Sequence, residues 1–234
     1  MNAKERWTEL LTHQRLYGEP DPFEDDTGRT LFDADYGRLI FSSQFRRLQD
    51  KTQVFPLAKS DYTRTRLTHT AEVATLGQGL GKALGKLLRE EDELPDHLTP
   101  ADLGTVVAVA CLAHDLGNPP FGHSGEAAIQ EWAKRRQSDL KGDGRLNDAQ
   151  LQDVLKFEGN AQSFRIAARL WGRDRLGGGQ LTAVSYGALL KYPQSSSHPM
   201  DKTHAARAYA GVIRRGALEL SGTLRWSNLA PCAG

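Results

Sequence analysis

The most constraining feature of the sequence is a long stretch in which apolar residues recur every three or four positions. This spacing places them on one face of a helix that ends near Arg89; the face consists of His69, Val73, Leu76, Leu80, Leu84 and Leu87. Packing must supply most of the stability of this helix, because four glycines lower its helix propensity: Gly77, Gly79, Gly81 and Gly85. No alternation of apolar and polar residues is long enough to predict a β-strand. The sequence therefore predicts an all-α fold in which this face, His69 included, points inward.

Capping signals and periodicity predict further helices. The clearest begins at Thr99, where a threonine N-cap, Pro100 at the first helical position and Asp102 form a strong start signal, and it reaches His114. Others are expected over about 124–136, 158–171 and 182–191. The polar segment 137–153 is interpreted as a surface insertion. Residues 193–234 are interpreted as an appendage with one short helix near 203–220.

Charge and cysteine content narrow the functional classes. The chain has 30 basic and 29 acidic residues and a net charge of +1, so contact with nucleic acid or an anionic membrane would need a local patch. Two cysteines, Cys111 and Cys232, are too few for a disulfide framework or a cysteine-rich zinc site. The N-terminus lacks the apolar stretch of a signal peptide, and the longest apolar run, 106–113, is too short to cross a bilayer. These features predict a cytoplasmic protein without membrane contact.

The strongest candidate for a chemical site combines His69 with the pair His114-Asp115. Both histidines lie on apolar helix faces, and an inward imidazole needs a partner because an unpaired buried polar group costs roughly 1–3 kcal/mol. Two helices could bring two imidazole nitrogens and one carboxylate to a single point. Such a donor set suits Mn or Mg, and also Fe, Co or Ni. On spacing alone the alternative stays open that each histidine is a core residue bonded to a carbonyl.

Four ordered blocks resemble the HD-domain metal-dependent phosphohydrolases, and more narrowly their deoxynucleoside triphosphate triphosphohydrolase (dGTPase-like) branch. The blocks are residues 42–56 (SSQFRRLQDKTQVFP), 66–69 (RLTH), 114–126 (HDLGNPPFGHSGE) and 157–163 (FEGNAQS). The resemblance covers about residues 28–192. It implies that residues 1–192 form a partial HD-domain helical bundle and that residues 193–234 are a divergent tail.

The resemblance also implies roles for individual residues. His69, His114 and Asp115 match three of the family's four metal ligands. His123 matches the acid or base near the scissile bond, and Glu126 matches the residue that orients it; three positions apart at a helix start, they would be neighbours. The alternatives are that His123 is a helix N-cap and that Glu126 is a carboxylate favoured by the helix dipole.

Substrate contacts are expected from five basic side chains that lie within 21 positions of the sequence: Arg46, Arg47, Lys51, Arg64 and Arg66. A triphosphate with about four negative charges needs such a group, and guanidinium groups suit phosphate oxygens. Arg66 matches a phosphate-contacting position of the family, Arg46 is a further substrate-binding candidate, and Gln53 and Val54 match positions that touch the sugar. Asn160 either lines the pocket or caps a helix. The alternative for these basic side chains is that they form a solvated surface and do not contact substrate.

The function implied by the resemblance is hydrolysis of dGTP, or another dNTP, to the deoxynucleoside and tripolyphosphate with a divalent metal ion. Members of the family are commonly homo-oligomers. Two alternatives remain: an HD phosphohydrolase of another nucleotide, and a non-catalytic protein that binds nucleotide or single-stranded nucleic acid. The near-zero net charge gives the nucleic-acid alternative little support.

One part of the family pattern is missing. The fourth metal ligand of the family is an aspartate in a later helix, within an Ala-Asp-Asp-Ile-like segment, and no such segment occurs here. The pattern stops near Lys191; after position 153 the only aspartates are Asp174 and Asp201, and neither has a matching context. We therefore expect the chain to represent the N-terminal portion of a longer enzyme, with uncovered apolar faces and an incomplete metal shell. Both an active and an inactive chain are compatible with this expectation.

Overall fold

The computed structural model describes residues 2–15, 28–53, 62–142, 146–172 and 178–191, together with Ser196. These residues form ten α-helices: α1 (Ala3–Leu10), α2 (Leu31–Ile40), α3 (Ser43–Arg46), α4 (Arg66–Glu90), α5 (Pro100–Ala113), α6 (Gly122–Arg135), α7 (Gln137–Lys141), α8 (Asp148–Leu155), α9 (Gly159–Arg165) and α10 (Ala183–Leu189). A 3-10 turn (Arg47–Asp50) follows α3, and a π turn (Ile166–Leu170) follows α9. In the described ranges, β-pairing is limited to isolated bridges that join Arg15 to Thr182 and Thr52 to Thr65. The predicted all-α fold is confirmed.

The helices α4 and α5 begin at reciprocal caps. The side chain of Thr99 accepts a hydrogen bond from the backbone N–H of Asp102, whose carboxylate accepts one from Thr99 at 2.6 Å, so the predicted start of α5 is confirmed. Thr65 and Thr68 form the same kind of box at the start of α4. As a result α4 begins at Arg66, one turn before the predicted first residue His69, and both residues are held in its first turn.

Glycines, not leucines, form the face of α4 that packs on α5. The two helices are antiparallel neighbours: a Cβ atom on Gly85 would lie 2.6 Å from the Cα of Pro100, and one on Gly81 would lie 2.7 Å from the carbonyl oxygen of Leu103. Gly77 faces Cys111 in the same way. A larger side chain at these positions would hold the helices apart, whereas glycine allows direct backbone contact.

The prediction that the apolar face of α4 points inward is wrong for its leucines. The exposed fractions are 70% for Leu76, 73% for Leu80, 43% for Leu84 and 59% for Leu87. Periodicity identified the face correctly but not its direction. The closest contact with α5 is made by the glycine positions, so these four side chains, here called the leucine stripe, lie to one side of the helix pair at the surface.

The core of the described residues consists of two apolar clusters that follow one another along α5. The first lies toward the C-terminal end of α5 and includes Leu39, Phe45, Leu48, Val109, Leu112, Leu116 and Tyr186. The second lies toward its N-terminal end and includes Leu11, Phe32, Leu88, Leu94, Leu98 and Leu103. Asp35 is fully buried and joins α2 to α10: it accepts hydrogen bonds from Thr182 and Ser185 at the start of α10 and forms an ion pair with Arg15 at 3.2 Å. Burial raises the pKa of Asp35, and the hydrogen bonds of Thr182 and Ser185 oppose this shift.

Two other predictions change in detail. The described residues of the polar segment interpreted as a surface insertion are mostly exposed, but they include α7 and the larger part of α8. The helix expected over 158–171 is α9 followed by the π turn, with Trp171 donating its backbone N–H to the carbonyl of Ile166. Of the appendage 193–234, the structure describes Ser196 alone, so the short helix expected near 203–220 lies outside the described residues. None of the described helices is both long and apolar enough to cross a membrane.

The glycine contact yields a stability prediction. Gly81→Ala should lower the free energy of unfolding by about 1–3 kcal/mol, because the new Cβ would overlap the backbone of α5. Gly79→Ala is the matched control: a Cβ at Gly79 would meet nothing within 4 Å, so the better helix propensity should add about 0.5–1 kcal/mol. Urea denaturation of dilute protein, followed by circular dichroism, measures both changes. Equal effects of the two replacements would contradict this packing.

Candidate active site

Three side chains that the sequence singled out meet where the start of α4 faces the end of α5. His69 lies in the first turn of α4, His114 is the C-cap residue of α5, and Asp115 follows it. One ligand atom from each lies within 4.8 Å of the others, and the two imidazole rings meet edge to face with centroids 5.5 Å apart. Asp115 is buried, while both histidines are half-buried. The spacing prediction that two helices bring these groups together is confirmed.

The hydrogen bond of His114 selects which of its nitrogens can bind a metal. Its Nδ1 lies 2.6 Å from the carbonyl oxygen of Cys111, and because a carbonyl only accepts, Nδ1 must carry the proton. In the neutral imidazole the other nitrogen, Nε2, is then the one with a lone pair, and it lies 3.3 Å from a carboxylate oxygen of Asp115. His114 therefore satisfies a carbonyl, as the core-histidine alternative expects, and still presents one nitrogen to the cluster.

Arg66 and Asn118 fix the carboxylate of Asp115. The Nη1 of Arg66 donates to one oxygen of Asp115 at 2.8 Å, and both side chains of this ion pair are buried. The amide of Asn118 donates to the other oxygen. Within the part of the chain that the structure describes, the buried Nε of Arg66 has no hydrogen-bond partner. The guanidinium is thus held beside the cluster with a donor still unused.

Lys51 adds a second positive charge. Its ammonium donates to the carbonyl oxygen of Asn118 at 2.8 Å, and its own carbonyl accepts from the backbone N–H of Arg66 at 2.8 Å. Half-burial lowers the pKa of Lys51, and the nearby charge of Arg66 lowers it further. Two cations next to a cluster of metal-type ligands form a suitable environment for phosphate oxygens.

His123 and Glu126 form a separate pair at the start of α6. His123 Nδ1 donates to Glu126 Oε2 at 3.0 Å; the side chain of His123 is 99% exposed and that of Glu126 is 13% exposed. The other oxygen of Glu126 accepts the backbone N–H of Gly159 at 2.7 Å, at the first residue of α9. The predicted contact between the two residues is confirmed.

The alternatives for this pair are tested by the same geometry. The N-cap position of α6 is occupied by Phe121, in the left-handed conformation with φ 66°, and His123 is the second residue of the helix. The N-cap interpretation of His123 is therefore wrong. Glu126 does lie at a helix N-terminus, but that helix is α9 and not its own.

The remaining predicted substrate residues differ in their surroundings. Arg46 is exposed on α3, and no hydrogen bond or ion pair of the described residues joins it to the cluster. The side-chain oxygen of Gln53 is buried and, within the described ranges, lacks a hydrogen-bond partner. Val54 lies outside the described residues. Asn160 does not cap α9, because Glu158 is the N-cap residue and accepts from Ala161 at 2.7 Å; the amide of Asn160 donates to Glu158.

Sequence reasoning missed three groups that hold the site together: Asn118, Gly159 and Ser163. The hydroxyl of Ser163 donates to the carbonyl of His114 at 2.8 Å and accepts the N–H of Gly117 at 2.9 Å. All three lie within the quoted sequence blocks, so the blocks indicated the right segments of the chain but not these contacts. Their partners lie 33 to 49 positions away for Gly159 and Ser163, and helical periodicity carries no signal over such a separation.

The donor chemistry fits a divalent metal ion. Two imidazole nitrogens and one carboxylate, all within 4.8 Å of one another, are the mixed nitrogen and oxygen ligands that such ions accept. The fixed tautomer of His114 and the second partners of Asp115 are typical of ligands around a metal. The residues present therefore could hold the ion that the resemblance implies.

Comparisons with known proteins agree with this geometry. Residues 66–164 match the family model described as HD domain. A deoxyguanosinetriphosphate triphosphohydrolase-like protein of Pseudomonas aeruginosa is 49% identical over 192 residues, which are 82% of this chain and 42% of that protein. A protein of the same name from Synechocystis is 44% identical over 82% of this chain and 44% of its own length.

A third relative is the deoxyguanosinetriphosphate triphosphohydrolase of Salmonella typhimurium. It is 40% identical over 73% of this chain and 36% of its own length. The chain thus spans less than half the length of each of these relatives. The matches confirm the resemblance: the chain carries an HD domain and is a relative of the deoxyguanosinetriphosphate triphosphohydrolase-like proteins.

Proposed function

We propose that the chain is a metal-dependent HD phosphohydrolase that converts dGTP, or another dNTP, to the deoxynucleoside and tripolyphosphate. The observation that carries this proposal is the buried ion pair of Arg66 and Asp115, which holds a phosphate-binding guanidinium against the carboxylate of a three-ligand cluster. The names of the relatives supply the nucleotide and the reaction.

His69, His114 and Asp115 would hold the divalent ion, with Mn or Mg favoured and Fe, Co or Ni compatible with the same donors. When bound, such an ion lowers the pKa of a coordinated water and polarises a phosphoryl oxygen. In the described ranges this cluster has three protein ligands. Any further ligands of the ion would be water, substrate oxygens or groups outside those ranges.

Arg66 and Lys51 bind the triphosphate in this proposal. Arg66 is held by Asp115 through one nitrogen and keeps its Nε for a phosphate oxygen. Lys51 is fixed by the turn that follows the metal ligands and adds a point charge on the same side. Arg46, exposed on α3, is a weaker candidate for the same role because nothing in the described structure positions it.

His123 and Glu126 handle the proton of the leaving group. Glu126 holds Nδ1 of His123, so Nε2 is the nitrogen that donates a proton. The oxygen of a water molecule bonds to the α phosphorus, the bond from that phosphorus to the 5′ oxygen breaks, and His123 protonates the 5′ oxygen. The water releases its protons to the solvent, and His123 takes up a proton from the solvent before the next turnover. The deoxynucleoside leaves as an alcohol, and the tripolyphosphate keeps the oxygen of the water.

In this proposal Gln53 and Val54 contact the sugar, and Asn160 lines the pocket. The buried oxygen of Gln53, which lacks a partner in the described ranges, supports a role in accepting a hydrogen bond from substrate. Asn160 lies in the first turn of α9, next to the residue that holds Glu126. The division into a partial HD domain over residues 1–192 and a divergent tail over 193–234 belongs to the same proposal.

Metal binding should appear as added thermal stability. At a Mn²⁺ concentration of about 100 times Kd, Tm should rise by roughly 5–10 °C, because the ion binds the folded chain in preference to the unfolded one. His69→Gln should remove this rise, while His97→Gln, an exposed histidine outside the cluster, should leave it intact. Differential scanning fluorimetry with and without Mn²⁺ measures the shift. A rise that persists in the His69 variant would contradict the assigned ligands.

Catalysis should be tested on the 234-residue chain with dGTP and Mn²⁺ or Mg²⁺. We expect deoxyguanosine and tripolyphosphate in equal amounts, and a rate about 10²–10⁴ times lower for His123→Ala, because the leaving alkoxide then lacks its proton donor. Lys134→Ala, on an exposed position of α6, controls for surface changes of that helix. Ion chromatography and reversed-phase separation identify both products.

Two results would count against this assignment. Release of pyrophosphate with dGMP would show attack with a different leaving group. Absence of turnover, in a chain that the metal and dGTP stabilise together, would show that the site binds its substrate without hydrolysing it.

A further inference from the structure

Gly159, the first residue of α9, lies between the two parts of the candidate site. It is buried, and its backbone N–H donates to Oε1 of Glu126 at 2.7 Å. A Cβ atom on Gly159 would lie 2.7 Å from that same oxygen and would overlap Oδ1 of Asn118. A side chain at this position would therefore displace one or both of these polar groups.

On the metal side, Asn118 holds the carboxylate of Asp115. The side-chain nitrogen of Asn118 donates to one oxygen of Asp115, which leaves the side-chain oxygen of Asn118 facing Gly159. Rotation about the last bond of an asparagine side chain is soft, so the amide keeps its orientation only if both ends are held. Outer partners of this kind fix the orientation of a metal ligand.

On the proton side, Glu126 determines which nitrogen of His123 carries a proton. Its Oε2 accepts from Nδ1 of His123 at 3.0 Å, so the neutral imidazole keeps its lone pair on Nε2. The other oxygen of Glu126 is held by the N–H of Gly159. Because the side chain of His123 is almost fully exposed, its orientation depends on Glu126 and on the contact that anchors Glu126.

We propose that Gly159 is a positioning residue for both parts of the site. Through Asn118 it orients the metal ligand Asp115. Through Glu126 it orients the proton donor His123. This inference rests on the proposed function for the use that is made of the metal ion and of the proton. The contacts themselves are present without substrate, so they can be tested on a chain that hydrolyses nothing.

Gly159→Ala is the informative variant. The two atoms that its Cβ would crowd are ends of side chains, which can turn away, and alanine favours helix more than glycine. The chain should therefore keep its fold by circular dichroism while the amide of Asn118 and the carboxylate of Glu126 shift. Gln162→Ala, on the same helix, is the control: the side chain of Gln162 accepts from Arg165 at 3.3 Å, and its replacement leaves Gly159 unchanged.

The proton side is measured by nitrogen–proton NMR of the imidazole of His123. The metal-free chain is used at about pH 9, where an ordinary histidine side chain is neutral. The wild type should hold the proton on Nδ1. In Gly159→Ala the ratio of the Nδ1–H form to the Nε2–H form should fall at least about fivefold, the factor that corresponds to one ordinary hydrogen bond. The control should keep the wild-type ratio, and His123→Gln identifies the signals by removing them.

Glu126→Gln tests the anchor in the opposite sense. The N–H of Gly159 can donate only to an oxygen, so it should bind the oxygen of the new amide and turn the NH₂ group toward His123. Nδ1 of His123 must then accept, and the proton should move to Nε2. With Gly159→Ala in the same chain, this preference for Nε2 should weaken at least about fivefold, because the amide can turn round.

The metal side is measured as the dissociation constant of Mn²⁺ by isothermal titration calorimetry without nucleotide. Gly159→Ala and Asn118→Ala should each raise this constant about tenfold, because loss of an outer partner weakens metal binding by roughly 10–100-fold. Since Gly159 acts through Asn118 in this proposal, the double variant should bind Mn²⁺ no more weakly than Asn118→Ala alone. The control should bind Mn²⁺ as the wild type does.

Four outcomes would overturn the proposal. They are a wild-type His123 with its proton on Nε2, a ratio that Gly159→Ala leaves unchanged or that Gln162→Ala changes equally, a wild-type chain that does not bind Mn²⁺, and effects of Gly159→Ala and Asn118→Ala on Mn²⁺ binding that simply add. If the ratio and the affinity change as expected and dGTP is not hydrolysed, the proposed function fails and the positioning role of Gly159 stands.

Discussion

The close approach of α4 and α5 is the constraint on which the site depends. Because the two helices are antiparallel, Gly85 meets Pro100, Gly81 meets Leu103 and Gly77 meets Cys111. Beyond these contacts the start of α4 lies beside the end of α5, where His69 meets His114. Helices separated by ordinary side chains would lie 8–10 Å apart. The glycines that weaken α4 as an isolated helix are therefore what allows both imidazoles to reach one point.

Around that point, the site divides into two parts with different exposure. The metal-type ligands and Arg66 are buried or half-buried and are held by several hydrogen bonds. The His123–Glu126 pair stands at the surface, where the side chain of His123 is almost fully exposed. Such an arrangement suits a reaction in which a charged group is bound in the interior and a proton is delivered from the open side.

Much of the fold and of the candidate site could be predicted from local signals. The cap at Thr99 determined the start of α5, and the sequence blocks located His69, His114, Asp115 and the His123–Glu126 pair. The direction of the leucine stripe could not be predicted, because periodicity identifies a face and not the partner that covers it. The role of Glu158 as the N-cap of α9 could not be predicted either. Two nearby polar residues, Glu158 and Asn160, compete for that position, and only the backbone geometry decides between them.

The short helix α9 joins the two parts of the site. Its first residue, Gly159, holds Glu126, and Ser163, four positions later, holds the turn that carries His114. Four residues of an α-helix rise by about 6 Å, so about one turn of α9 lies between its contact with the His123–Glu126 pair and its contact with the metal-type ligands. A change in the pitch or tilt of α9 would alter the spacing of the two parts while leaving the side chains of both unchanged. Substitutions in α9 would therefore move the two parts of the site relative to each other without replacing a residue of either.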